Sequence, residues 1–301
     1  MRWLVTMPSS PISGEMSIAF LIGTPVAVGA IAVYGSPKAR TSLLYSLVAP
    51  IVPMALMLLG CAITLLEGSI CIAIMAPFFL ALAAFGGFIM ALALRIRLIG
   101  RPTLGLLGVS PFLLIPLDNL PMPDTVHELR ESIVIHAEPH VVWQQIMTAK
   151  DIREDELPLS VVHLIGVPKP IDAENRTSEF GETRFSQWEK GVHFTAAVVE
   201  KQDFQSITWR YSFGPDSFPP GSMDEHVVIG GKYLDLGNTT FTLQAIDGGN
   251  TRLEIVGRYR LTTPINGYAV PVSRFLGKDF LRMLLGFYKG RAERSNAIGS
   301  T

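Results

Sequence analysis

The sequence predicts an α+β domain, a curved antiparallel sheet of about six to seven strands around one long carboxy-terminal helix, preceded by an all-α transmembrane region. Three observations lead there. Residues 43–94 hold 52 positions and a single formal charge, Glu67, a composition suited to lipid and not to the surface of a soluble domain. From about Pro121 the chain turns polar and alternates apolar with polar residues, the period of a strand with one buried face. From Asn266 the apolar residues recur at steps of three and four, the period of an amphipathic helix. Charge draws the same boundary: residues 1–120 carry a net +3 and residues 121–301 a net −4. Neither half has the basic excess of a nucleic-acid binder. The only cysteines, Cys61 and Cys71, lie in the apolar stretch, so no disulfide framework holds the polar half together.

A helix crosses the ~30 Å hydrocarbon core with roughly 20 apolar residues. Three segments qualify, about 17–34, 43–66 and 69–94, separated by residues 35–42 with Pro37 and by a tight turn at Glu67-Gly68. Pro50, Pro53 and Pro77 fall inside the second and third. They predict kinks and not breaks, because neighbouring helices re-satisfy the freed carbonyls. A cleavable signal peptide suits the first segment less well, since it lacks a compact basic end and a small-residue cleavage site. The first residues read as the tail of a longer membrane region. Residues 103–120 contain Pro111 and Pro116 and close on Asp118; a fourth span and a re-entrant or interfacial segment both fit.

Lys38 and Arg40 follow the first helix, Glu67 the second, and Arg95, Arg97 and Arg101 the third. The positive-inside rule places the basic loops in the cytoplasm. The polar domain then faces outward if residues 103–120 span, and is cytoplasmic if they do not. Glu67 reads as a hydrated turn residue, since no series of carboxylates or histidines runs through the helices to support a transporter.

In the polar half, residues 129–136 form a first strand, and Glu138 with Pro139 opens a helix through Trp143 and Ile146. A loop-rich stretch follows to about Gly181. Period-2 runs then cover 182–189, 192–199, 206–213, 227–236, 239–246 and 251–261, with turn residues between them, among them Lys190-Gly191, Gly237-Asn238 and Asp247-Gly248-Gly249-Asn250. The last helix, about 266–293, puts Val272, Phe275, Leu276, Phe280, Met283, Leu284 and Phe287 on one side and Arg274, Lys278 and Arg282 on the other. Such a stripe has to be covered, and the strands supply the cover.

The order strand, helix, strands, long helix, with Ile135-His136-Ala137-Glu138-Pro139 followed by Val141-Val142-Trp143 and with Gly181-Glu182-Thr183-Arg184 opening a strand, resembles the SRPBCC or START-like superfamily. The resemblance covers about residues 128–296. It implies the helix-grip fold, a mostly apolar cavity between sheet and terminal helix, and a place among polyketide cyclases and lipid-transfer proteins. The membrane half, with Glu67-Gly68-Ser69-Ile70-Cys71, is similar to bacterial members that carry such a domain behind several spans, implying the inner membrane.

The residues point to the same place by themselves. Ile207, Trp209, Tyr211 and Phe213 share one strand face, as do Leu253, Ile255, Gly257, Tyr259 and Leu261. A plain core and a cavity wall both fit them. The candidate ligand-binding residues are Trp143, Arg184, Trp188, Trp209, Tyr211, His226, Tyr233, Tyr259 and Phe280, with His193, His163 and Asp224 as further polar groups. Arg184 places a cation among apolar residues, suited to a carboxylate or phosphate head group, or else it is a rim residue paired with Glu182 or Glu200. His226 has Asp224 and Glu225 beside it, an arrangement that orients an imidazole for acid–base work but is equally a solvated turn. No zinc spacing, phosphate loop or nucleophile elbow is present, and no cofactor is implied.

The leading expectation is a membrane-anchored domain that binds or transfers a hydrophobic small molecule or lipid. Two others stand beside it: a cyclase- or aromatase-like enzyme acting on a cavity-bound substrate, and an envelope assembly or regulatory protein whose protein partner the sequence does not name.

Overall fold

The computed structural model describes residues 17–96, 110–119, 121–179 and 181–299. It divides into a helical unit up to Pro123, which also takes in Thr263–Tyr268, and a sheet unit of Asp124–Thr262 with Ala269 onward.

In the helical unit a π-helical turn, Ala19–Gly23, runs into α1 (Thr24–Tyr34). There follow α2 (Pro37–Thr41), α3 (Leu43–Val48), α4 (Ile51–Ile63) and α5 (Ser69–Arg95). The stretches Leu43–Ile63 and Ser69–Arg95 are long and apolar enough to cross a membrane. Pro50 sits at the α3–α4 junction with its backbone still in the helical region, and Pro77 lies inside an unbroken α5. Missing side chains let α1 and α5 meet. A Cβ on Gly29 would sit 1.9 Å from the Ala83 carbonyl oxygen, and one on Gly86 2.1 Å from that of Val26. This backbone-to-backbone contact through small residues is how helices associate in lipid, where apolar side chains gain nothing by leaving the solvent. The large side chains point outward instead: Leu44, Val52, Leu56, Ile63, Phe85 and Ile89 are exposed.

Of residues 103–120, the described part is a 3-10 run, Ser110–Asn119, and Arg97 and Arg101 also lie outside the described residues. Pro111 lies against Gly23, and Asp118 accepts a hydrogen bond from the Ile18 amide at 2.6 Å. The run is therefore antiparallel to the start of the first helix, and its carboxylate meets the free amides there.

The sheet unit has eight strands in the order β1-β8-β7-β6-β5-β4-β3-β2, every neighbouring pair antiparallel. They are β1 (Asp124–Ile135), β2 (Thr148–Ala149), β3 (Pro170–Ser178), β4 (Gly181–Trp188), β5 (His193–Gln202), β6 (Ser206–Ser212), β7 (Leu234–Ile246) and β8 (Asn250–Thr262). After β1 comes α6 (Pro139–Met147), with proline in its first turn, and between β2 and β3 the short α7 (Val161–Leu164). The terminal helix α8 (Asn266–Gly299) closes the concave face. The helix-grip fold expected from the sequence is present.

Three details differ from the pattern. The stretch read as loop before Gly181 contains β2 and β3. Polar residues hid β3: its outward Glu174 is paired with Lys150 and Arg176, so no apolar alternation marks it. Gly237-Asn238 is a bulge within β7 and not a turn; it lets Leu236 pair with Tyr259 and Thr239 with Gly257. Residues 227–233 are mostly a loop, turned by Gly230 at φ +80°.

The buried face of α8 is also wider than one stripe. Leu281, Leu285, Tyr288 and Ala292 join the core beside Phe287. The cause is cover on two sides. The sheet lies on one side, and on the other the 151–165 segment holds α8 through Ser160 Oγ and the Val162 amide, both donating to Asp279, through Pro158 against Gly286, and through Glu156 on Arg291. Phe275, expected on the buried stripe, lies a turn before Asp279 and is 60% exposed.

Candidate aromatic and arginine site

Strand alternation puts Arg184, Ser186 and Trp188 of β4 on the concave face, and the register sets Ala196 and Phe194 of β5 opposite Arg184 and Ser186. On β6, Tyr211 pairs with Ala196 and Trp209 with Val198. Small residues at 196, 239 and 257 alternate with these large ones, leaving room for the rings to lie across the sheet.

Arg184 is 6% exposed. Its Nη1 donates to the Ile146 carbonyl at 2.7 Å and to Asn175 Oδ1 at 2.9 Å, and its Nη2 to the Tyr288 hydroxyl at 3.3 Å. The guanidinium lies 4.9 Å from the centre of the Trp209 ring. No carboxylate among the described residues pairs with it. Glu182, two residues earlier on the same strand, receives the Asn175 amide at 3.1 Å and Lys201 at 2.9 Å instead. Trp209 is 1% exposed, and its indole Nε1–H is buried without an acceptor among the described residues. Burial pushes the Tyr211 phenol above its ordinary pKa, while a hydrogen bond with Thr239 and the Arg184 charge draw it back.

A run of partly buried aromatic rings leads away from this centre. Phe280 of α8 meets Trp188 at 5.6 Å, Trp188 meets Phe194 at 5.4 Å, and Phe194 meets Tyr211 and Phe213 at 5.9 and 5.4 Å. Phe213 continues to Phe218 at 5.6 Å. At the Phe280 end stands His163, edge-on at 6.2 Å. Its Nδ1 is 3.0 Å from the Val167 carbonyl, which can only accept, so the proton sits there and the buried, unpartnered Nε2 is a bare acceptor. Burial lowers the His163 pKa, with the nearby Lys169 charge acting in the same direction.

Of the sequence candidates, the structure thus brings together Arg184, Trp188, Trp209, Tyr211 and Phe280. Trp143 is buried in α6 with its ring 6.0 Å from Phe204. His226 meets Tyr233 at 6.2 Å on the β6–β7 connection, and Tyr259 donates to or accepts from Ser273 at 2.9 Å and stacks near His127. His193 is on the surface beside Asp216, and the two alternative partners of Arg184 do not hold it. Asn175 was hidden in the stretch read as loop. Tyr288 was legible, standing at helical spacing after Phe280 and Leu284. Among the described residues no group of His, Cys, Asp or Glu is placed to hold a metal ion.

No protein-family model and no curated protein matches the chain. Solved structures do. A START superfamily protein from Mycobacterium smegmatis is 12% identical over 56% of this chain and 99% of its own, with a TM-score of 0.37. The Zhui aromatase/cyclase from Streptomyces sp. R1128 is 12% identical over 56% of this chain and 95% of its own, with a TM-score of 0.35. TTHA0849 from Thermus thermophilus is 18% identical over 56% and 99%, with a TM-score of 0.35. At such identities the likeness is one of fold.

Proposed function

We propose that the protein is an integral membrane protein whose sheet unit binds a hydrophobic small molecule or lipid and transfers it at the bilayer. The aromatic run from Phe280 to Phe218 carries this reading. Rings that contact one another across a helix, two strands and the loop after β6, yet stay partly exposed, form neither a closed core nor scattered surface residues. A ligand covering them would gain roughly 25 cal/mol for each Å² of apolar surface removed from water. Membrane integration is supported by the outward apolar side chains of α3 to α5 and by the glycine contacts of α1 with α5. The antiparallel course of residues 111–118 beside the first helix favours a fourth crossing, which would put the polar domain on the outer face of the membrane.

The test is organic extraction of the full chain purified in mild detergent, with mass spectrometry of the extract and titration of the emptied protein with an apolar fluorescent probe. A bound apolar species and quenching of tryptophan fluorescence by the probe are expected. A protein that yields nothing and takes up no probe sinks the reading.

A further inference from the structure

The ligand's head group is written into the donors that the fold leaves unused. A guanidinium has five N–H groups. In Arg184 both Nη1 hydrogens go to the Ile146 carbonyl and Asn175 Oδ1, and one Nη2 hydrogen goes to Tyr288. That leaves Nε–H and the second Nη2 hydrogen without partners among the described residues. A third idle donor, Trp209 Nε1–H, belongs to the ring over which the guanidinium lies at 4.9 Å. The acceptors already used are neutral, so the positive charge also lacks a counterion among the described residues.

Resting on the reading of the site as an apolar pocket, we propose that its ligand carries a single carboxylate and enters head first, to be held by Arg184 and Trp209 while its apolar body lies along Trp188, Phe194, Phe213 and Phe280. Charge and the side-on geometry both lead to this class. A carboxylate neutralises the one cation and matches the planar guanidinium side-on, with lone pairs left on its oxygens for the indole N–H. A phosphate dianion brings twice the charge, for which no second cation stands in the cluster among the described residues. A neutral alcohol or hydrocarbon leaves the buried charge uncompensated.

The experiment compares cis-parinaric acid with its methyl ester, using the full chain in nanodiscs of neutral lipid and protein-free discs as the blank. Wild type is expected to bind the acid about tenfold more tightly than the ester, the ratio a difference of ~1.4 kcal/mol gives. Trp209→Phe should cut that ratio several-fold, and Arg184→Gln should bring it to about one. Arg184→Lys keeps the charge without the fork and should fall between; it serves as the check if Arg184→Gln does not fold. Equal binding of acid and ester, or a ratio indifferent to Trp209→Phe and Arg184→Lys, overturns the carboxylate assignment and leaves apolar binding standing. Tighter binding of an alkyl phosphate of matched length overturns it too. Failure of both acid and ester to bind removes the pocket itself.

Discussion

Glu156 is the clamp between the 151–165 segment and the terminal helix, and its removal tests how the grip is held. Its carboxylate accepts from Arg291 Nη2 at 2.7 Å and Nε at 3.2 Å, and from Arg294 at 2.8 Å. Its side chain is 8% exposed and that of Arg291 14%, so the pair is sheltered, whereas Arg294 is open to water. The Arg291 hydrogen bonds chiefly, with the Arg153 amide behind them, hold the carboxyl down from 4.5 to about 2. At ~1.4 kcal/mol per pKa unit the shift amounts to about 3 kcal/mol, which screening at the open Arg294 end reduces to ~2 kcal/mol. Glu156→Gln should therefore lower the melting temperature of the sheet unit by about 4–8 °C at pH 7. Intrinsic fluorescence reports it, because Trp143, Trp188 and Trp209 lie in that unit. The folded carboxyl is depressed, so its contribution is complete above 4.5 and disappears as the pH falls to about 2. Wild type and variant should converge across that window. Equal melting at pH 7, or a gap that persists at pH 2, would refute the clamp.

Further expectations follow from the same contacts. Gly86→Leu and Gly29→Leu force a side chain into a facing carbonyl and should each cost more than ~2 kcal/mol in detergent, while Gly60→Leu, with nothing within 4 Å, should be neutral; equal effects at all three would dismiss close α1–α5 contact. His163 is neutral in the fold with a lowered pKa, so stability should be complete above 6.5 and decline as the pH falls below it, and His163→Gln should flatten that limb of a melting-temperature profile. Leu281→Ala should cost about 2–4 kcal/mol and Phe275→Ser less than ~0.5, measured by denaturant unfolding; the reverse order would mean that α8 buries the stripe that spacing alone suggests.

The elements with strong periods were legible in the sequence, and those defined by tertiary partners were not. The long apolar helices, α6 behind Glu138-Pro139, and β4 to β6 carry their own local signals. By contrast, β3 is a strand because β4 pairs along it, residue by residue from Asp172 to Ser178, and its own side chains do not alternate in hydrophobicity. The same holds within the site. Arg184 and Trp209 could be placed on inward faces by counting in twos, but whether Glu182 would neutralise Arg184 depends on Asn175, which takes the position between them. The face of α8 was misjudged at Phe275 because a helix gripped from two sides obeys no single stripe.

The contrast between Arg184 and the other paired cations of the sheet unit bears on what the site is for. Arg291 has Glu156, Arg282 has Glu131 through two hydrogen bonds at 3.1 and 3.2 Å, and Lys201 has Glu182. These more exposed cations each have a carboxylate, whereas the most buried arginine of the sheet unit has none among the described residues. Removing a guanidinium from water without a counterion costs several kcal/mol, and three hydrogen bonds to neutral acceptors recover only part of it. Methionine or leucine would fill the same volume beside Trp209 without that cost. A destabilising charge kept at the centre of an aromatic-lined concave face therefore makes physical sense if the missing anion arrives with the ligand.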